Sequence, residues 1–321
     1  MTRPFMRIIF IGATMLAAGC QTVPTALPIA DASLLPDRSR ETSGLVCTAD
    51  GFISINDSGN SPELQQLDAA LRLTAVPLAL DNIDWEALAA NGDRLYIADS
   101  GNNSGQRNNG FIHRIHYQPN QAKVEVLPSL TYRFASYPAT APEPYRHDFD
   151  AEALAYADRH LWLFSKSWHS GVSQVYQLDP QKTQQQVLTA QAQIAGLPGL
   201  VTDAVYLPGT AQFVLTGYQN YQHNLLQFAL QGEFNAFVAV TDRQFQLQLV
   251  IPLPEAGQLE GICARDGQIW LSQEQSQHSP ARLWREPTVE AALAQIARQT
   301  LADTNLNEKP FARSSFIVRI Q

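Results

Sequence analysis

The chain has 321 residues, 45% of them hydrophobic and only 16% charged. That much apolar material rules out intrinsic disorder and suffices for one large domain or two ordinary ones. A formal net charge of -8 argues against a nucleic-acid partner, since nothing here would neutralise a phosphate backbone.

Arg3 and Arg7, followed by the apolar run 8–18, read as an export signal. The run is far below the ~20 residues that a membrane-spanning helix needs, so it is not a permanent anchor. It ends in Leu16-Ala17-Ala18-Gly19-Cys20, which resembles the lipobox of bacterial lipoproteins, with Ala17 where Leu is usual. The resemblance implies a signal peptide over 1–19 and acylation of Cys20, which would tie the mature chain to a membrane. Gln21 follows instead of an aspartate that would signal inner-membrane retention, so the expected location is the cell envelope, at the outer membrane. Residues 20–40 hold Pro24, Pro28 and Pro36 without apolar periodicity and read as a lipidated tether. The remaining stretch, 41–321, is the expected domain.

That domain repeats. ETSGLVCTADGFISINDSG (41–59), DWEALAANGDRLYIADSG (84–101), DAEALAYADRHLWLFSKS (150–167), VTDAVYLPGTAQFVLTGY (201–218) and LEGICARDGQIWLSQE (259–274) each pair a short apolar strand with a β-prone one. A third candidate strand follows each pair: ELQQLDA, FIHRIHY, SQVYQL, NLLQFAL and ARLWRE. A fourth appears in LPSLTYRFA, QQVLTAQAQI and RQFQLQLVIPL. Four strands per unit predicts an all-β propeller with the first strand of each blade on the central channel. Five blades are visible, and a sixth stays open if the tether or the terminal SSFIVRI builds one. One short C-terminal helix is predicted over 289–301, packed outside the last blade.

Glu86, Glu152, Asp203 and Glu260 occupy nearly the same place in the aligned first strands, with Ser43 in the first copy and Asp84 and Asp150 two residues earlier. On inner strands these carboxylates converge at one end of the channel. Like charges so close must be hydrogen-bonded, protonated or held by a cation. Oxygen-only ligands suit a hard cation, calcium above all, with Glu86, Glu152, Asp203 and Glu260 as the metal set. The alternative is that each acid caps backbone N–H groups. Asp57 and Asn60 in one turn, and Asp99 and Asn102 in its echo, form candidate loop sites at the same channel end, or plain Asx turns. Lys166, Glu274, Arg107 and Arg146 would add mixed charge to that surface or sit as solvated loop charges. His147 is the histidine expected near the channel, though a lone histidine is more often structural.

Two cysteines remain after Cys20. Cys47 and Cys263 lie on the first strands of the first and last repeats, one residue out of step, and so point to opposite faces of their blades. In a closed five-bladed ring those blades are neighbours, and the pair either forms a disulfide in the oxidising compartment or remains two small buried hydrophobes.

The segments SGL and NDSGN, DWEALA, LYIADSGNN with Arg107, FIHRI, HDFDAEALA and LWLFSKS together resemble a family of bacterial secreted propellers related to the phytase-like and SdiA-regulated propeller proteins. The resemblance covers about 41–274 and is most specific over 84–167. Ala87 and Asn102 stand where the family carries carboxylates, which weakens the case for a dense calcium cluster. Two functions are expected. One is an envelope lipoprotein whose channel mouth binds a small molecule or protein without catalysis. The other is a calcium-assisted hydrolase of a phosphoester or lactone. No HExxH, paired CxxC, GxSxG or glycine-rich phosphate loop is present.

Overall fold

The computed structural model describes residues 32–118, 124–219 and 234–307. Its strands form five sheets arranged as the blades of a propeller. Strands β2 (Thr42–Thr48), β3 (Gly51–Asn56), β4 (Glu63–Asp68) and β5 (Leu73–Pro77) make the first blade, and β6 (Trp85–Asn91), β7 (Arg94–Asp99), β8 (Asn109–His116) and β9 (Glu125–Phe134) the second. The third comprises β10 (Ala151–Ala157), β11 (His160–Ser165), β12 (Ser173–Leu178) and β14 (Ala192–Ile194). The fourth comprises β15 (Leu200–Leu207), β16 (Gln212–Tyr218), β17 (Ala236–Thr241) and β18 (Leu247–Leu253). In the fifth, β19 (Leu259–Arg265), β20 (Gln268–Gln273) and β21 (Arg282–Arg285) are completed by β1 (Ser33–Leu34) from the start of the chain. The innermost strands β2, β6, β10, β15 and β19 pack in sequence, and β19 returns to β2 to close the ring.

Three expectations need correction. Part of the predicted tether is structural: β1 supplies the outer strand of the fifth blade, not a sixth blade. The stretch QQVLTAQAQI does not form one strand. Its first half, β13 (Gln186–Leu188), crosses to pair in parallel with β9 of the second blade, and only β14 stays with the third. In the fourth blade the third strand is β17; NLLQFAL lies outside the described residues, as do Cys20, the signal segment and SSFIVRI.

An apolar cluster fills each seam between blades: Ile55 shares one with Ile97, Leu130 with Leu163, Phe164 with Phe213, Val238 with Leu271 and Leu45 with Leu283. Each such buried side chain contributes roughly 1.5–3 kcal/mol, so the seams hold strands that are unstable singly. Helix α1 (Pro287–Asn307) is longer than the predicted 289–301 at both ends, and mostly at its C-terminal end. Proline is tolerated in a first helical turn, and Glu286 accepts the Thr288 N–H at 3.1 Å just before it. Val289 and Leu293 pack the helix on Trp284 and Leu271 of the last blade. Among the described residues no helix is long and apolar enough to cross a membrane.

The seam between the first and fifth blades has covalent closure. Cys47 on β2 and Cys263 on β19 are joined as a disulfide with Cα atoms 5.4 Å apart. The pair lines a cavity at the far end of the channel, walled by side chains from all five inner strands.

Candidate functional site

Each inner strand carries a one-residue bulge at the same level. Register breaks between Ser43 and Leu45, Trp85 and Ala87, Ala151 and Ala153, Val201 and Asp203, and Leu259 and Gly261. The extra residues are therefore Gly44, Glu86, Glu152, Thr202 and Glu260. A bulge re-aims its extra side chain, and here three glutamates enter the channel mouth. Gly44 breaks the acidic pattern for a steric reason: its φ is +73°, and a Cβ would collide with the Leu88 backbone of the next blade.

The bulges also correct the expected alignment. Ser43 precedes the bulge position and still lines the mouth, whereas Asp203 follows it, and that shift of one residue turns its side chain to the other face. Asp203 is fully buried and accepts the N–H groups of Ala204 and Ile262, each at 2.8 Å, together with that of Leu45. It ties the inner strands of the fourth, fifth and first blades to one another and does not line the mouth with the glutamates. Asp150 is engaged in the same way, taking the Asn102 N–H at 2.6 Å and the Trp168 indole N–H at 2.7 Å.

The mouth is a cavity of about 180 Å³ walled by the carboxylates of Asp57, Glu86, Glu152, Glu260 and Glu274, with Lys166 as the one basic side chain among the described residues that line it. Asp57, Lys166 and Glu274 reach it because each directly follows the second strand of its blade. Asp84 lies alongside: oxygens of Asp57, Asp84 and Glu86 all fall within 4.8 Å of one another. Gly101 makes room for them, since a Cβ there would strike the carboxylates of Asp84 and Glu86.

The two sides of this cavity differ. On one, Lys166 Nζ is 2.7 Å from Glu152 Oε2 and lies over the rings of Trp168 and Tyr218, at 5.0 and 5.5 Å from their centroids. Burial works against the ammonium, but Glu152, Tyr218 and Glu260 outweigh it and hold the Lys166 pKa well above its usual value. On the other side, Glu86 is only 5% exposed, and its carboxylate has no hydrogen-bond or ion-pair partner among the described residues. Burial, with Asp57, Glu152 and Asp84 adding repulsion, pushes its pKa well above the carboxylate range. Burial and then Asp57 and Asp150 lift Asp84 to about 6. Burial lifts Glu260 to about 7.

A pH dependence follows from these last two groups. Their folded-state pKa values exceed the ordinary carboxylate values near 4, so the folded chain binds more protons than the unfolded chain between pH 4 and 7. Their contribution to stability is therefore full below about pH 4 and lost as pH rises through 6 and 7. With a chelator present, thermal melts should give a higher Tm at pH 5 than at pH 8; the reverse order would mean that the mouth is not strained by its charge.

The other candidates stay out of the cavity. Asn60 bonds Glu41 at 2.5 Å, and Asn102 staples its own loop to Arg107 and Phe149. Asp99 has Arg107 at 2.7 Å and His113 at 3.5 Å, which outweigh burial and lower its pKa. Arg146 pairs with Glu143 at the surface. His147 is buried, with its Nδ1 taking the Phe149 N–H at 3.2 Å. The sequence reading missed Trp168 and Tyr218 as wall residues, although Tyr218 ends a second strand just where Asp57, Lys166 and Glu274 begin.

The fold and mouth define a class, a five-bladed propeller with an acidic channel opening. No protein-family model matches the chain, and no curated protein matches it in sequence. Among solved structures, a GH43 β-1,3-galactosidase with galactodeoxynojirimycin is 9% identical at a TM-score of 0.49, with 80% of this chain and 94% of that one covered. A streptogramin B lyase is 11% identical at a TM-score of 0.38, covering 82% and 71%. Similarities at this level carry no argument about activity, and the propeller rests on the strand order of this chain itself.

Proposed function

We propose that the mature chain is a lipid-anchored, non-catalytic propeller of the cell envelope that binds a positively charged ligand in its channel mouth. Cys20 would carry the anchor, and the likeness to secreted propellers supports an exported platform. The observation that carries the binding reading is Glu86: a buried carboxylate without a partner among the described residues, in a cavity where, among those residues, carboxylates outnumber ammonium groups five to one. Leaving such a charge unmet is costly unless a cation answers it. Rigid propeller loops are suited to presenting such a site.

Calcium is the simplest cation that fits, and Asp57, Asp84 and Glu86 are the residues that would hold it through oxygen alone. This differs from the ligand set expected from sequence, since Asp203 accepts backbone N–H groups, one oxygen of Glu152 pairs with Lys166 and Glu260 accepts a bond from Gln258. The same trio favours a second reading, calcium-assisted hydrolysis, in which the ion polarises an ester oxygen. Millimolar calcium or spermidine should raise the Tm of the chain by several degrees and do much less for Glu86→Gln. No shift with either cation would overturn the binding reading, and turnover in a phosphatase and lactonase screen would favour the second.

A further inference from the structure

The rim of the mouth carries more than charge. Tyr145 is 39% exposed and meets Trp168 edge-on, with ring centroids 5.0 Å apart. Ile83, 53% exposed, directly precedes Asp84. Only four large hydrophobic residues are exposed among the described residues, and two of them adjoin residues of this site, Tyr145 through its contact with Trp168 and Ile83 through its place beside Asp84 in the chain. The cavity itself, at about 180 Å³, is smaller than the ~300–1,000 Å³ of pockets that enclose a whole small ligand. A ligand seated here leaves most of its body on the rim.

Lys166 shows what the walls accept. Its alkyl-ammonium group is clamped between Glu152 and the faces of Trp168 and Tyr218. Across the cavity Asp57, Asp84 and Glu86 form a matching half, none of which has an ion pair among the described residues. Resting on the reading of the mouth as a cation site, the geometry points to a partner protein that inserts one lysine or arginine side chain there. Its charged end meets Glu86, Asp84 and Asp57, and its flanking residues lie on Tyr145 and Ile83. The arrangement has the form of an interface hot spot, a desolvated charged anchor ringed by apolar contacts that exclude water. Electrostatic attraction to the acidic mouth would also speed the encounter.

The test is calorimetry on the full chain in detergent with the acetylated, amidated peptide Phe-Lys-Phe, its norleucine counterpart, calcium and spermidine. The lysine peptide should bind at least tenfold tighter than the norleucine one. That preference should fall at least tenfold in Glu86→Gln, and affinity should fall several-fold in Tyr145→Ala and in Ile83→Ser, both exposed positions. Equal binding of the two peptides, or no loss in either rim variant, while calcium or spermidine still binds, would overturn the partner assignment and leave the cation site standing. No binding of any cation would overturn both.

Discussion

Replacing Cys47 and Cys263 by serine should lower the stability of the chain more than any other paired substitution on the inner strands. The disulfide spans 216 residues, and constraining so long a loop in the unfolded chain is worth about 5 kcal/mol in the loop-entropy account. At roughly 2–4 °C per kcal/mol for a large domain, that corresponds to a fall in Tm of about 10 °C or more. Other bonds at the same seam limit the loss. Asn56 and Gln65 of the first blade both donate to the Arg38 carbonyl, at 2.7 and 2.9 Å, while Gln275 N–H of the fifth donates to Arg40 at 2.7 Å. The segment between β1 and β2 thus holds both blades, and Arg265 adds bonds to the Thr48 and Gly51 carbonyls. Denaturant titration of the double serine variant against the oxidised parent measures the split. A difference below about 1 kcal/mol would show that the N-terminal closure alone seals the ring.

The blades were readable because their first two strands are consecutive and joined by turns such as Ala49-Asp50-Gly51 and Asp266-Gly267, so apolar alternation and turn chemistry recur together. The acidic strand starts were readable for the same reason, and three of them do enter the mouth. What escaped reading depends on partners distant in sequence. β1 has two residues, too few to show a period, and is a strand only because β21 offers it an edge. β13 leaves its own blade because β9 presents an unpaired edge, a choice that no local pattern encodes. The bulges mattered most for the site. Aligned letters cannot show which residue in Val201-Thr202-Asp203 is the extra one, and that single step decides whether an acid faces ligand or backbone. Lys166 and Glu274 were visible as charges after second strands, but their burial emerges only when five blades bring those strand ends together.

That one-residue difference predicts opposite outcomes for two acids next to each other in the alignment. Asp203→Asn should destabilise the chain. The aspartate accepts three backbone N–H groups from three inner strands, whereas an asparagine must turn its NH₂ toward one or more of those donors. Burial outweighs these bonds and holds the Asp203 pKa well above its usual value, so the expected loss comes from the donors that the amide leaves buried and unmet, at roughly 1–3 kcal/mol each, or about 3 kcal/mol in all. Its response to calcium or spermidine should be unchanged, because Asp203 does not line the mouth. Glu86→Gln should do the reverse. No described residue hydrogen-bonds or pairs with the Glu86 carboxylate, and burial with repulsion from Asp57, Glu152 and Asp84 outweighs the attraction of Lys166, so neutralising it should raise the Tm of the cation-free chain by about 2–4 °C for each kcal/mol relieved. Stabilisation by cations should then be largely lost. Binding sites commonly carry strain of this sort, where a residue kept for a ligand costs stability in its absence. Parallel melts of both variants with chelator and with millimolar calcium give the comparison directly. Should Glu86→Gln lose stability as Asp203→Asn does, Glu86 would be a structural acid like its neighbour, and the mouth would have no unmet charge to offer a ligand.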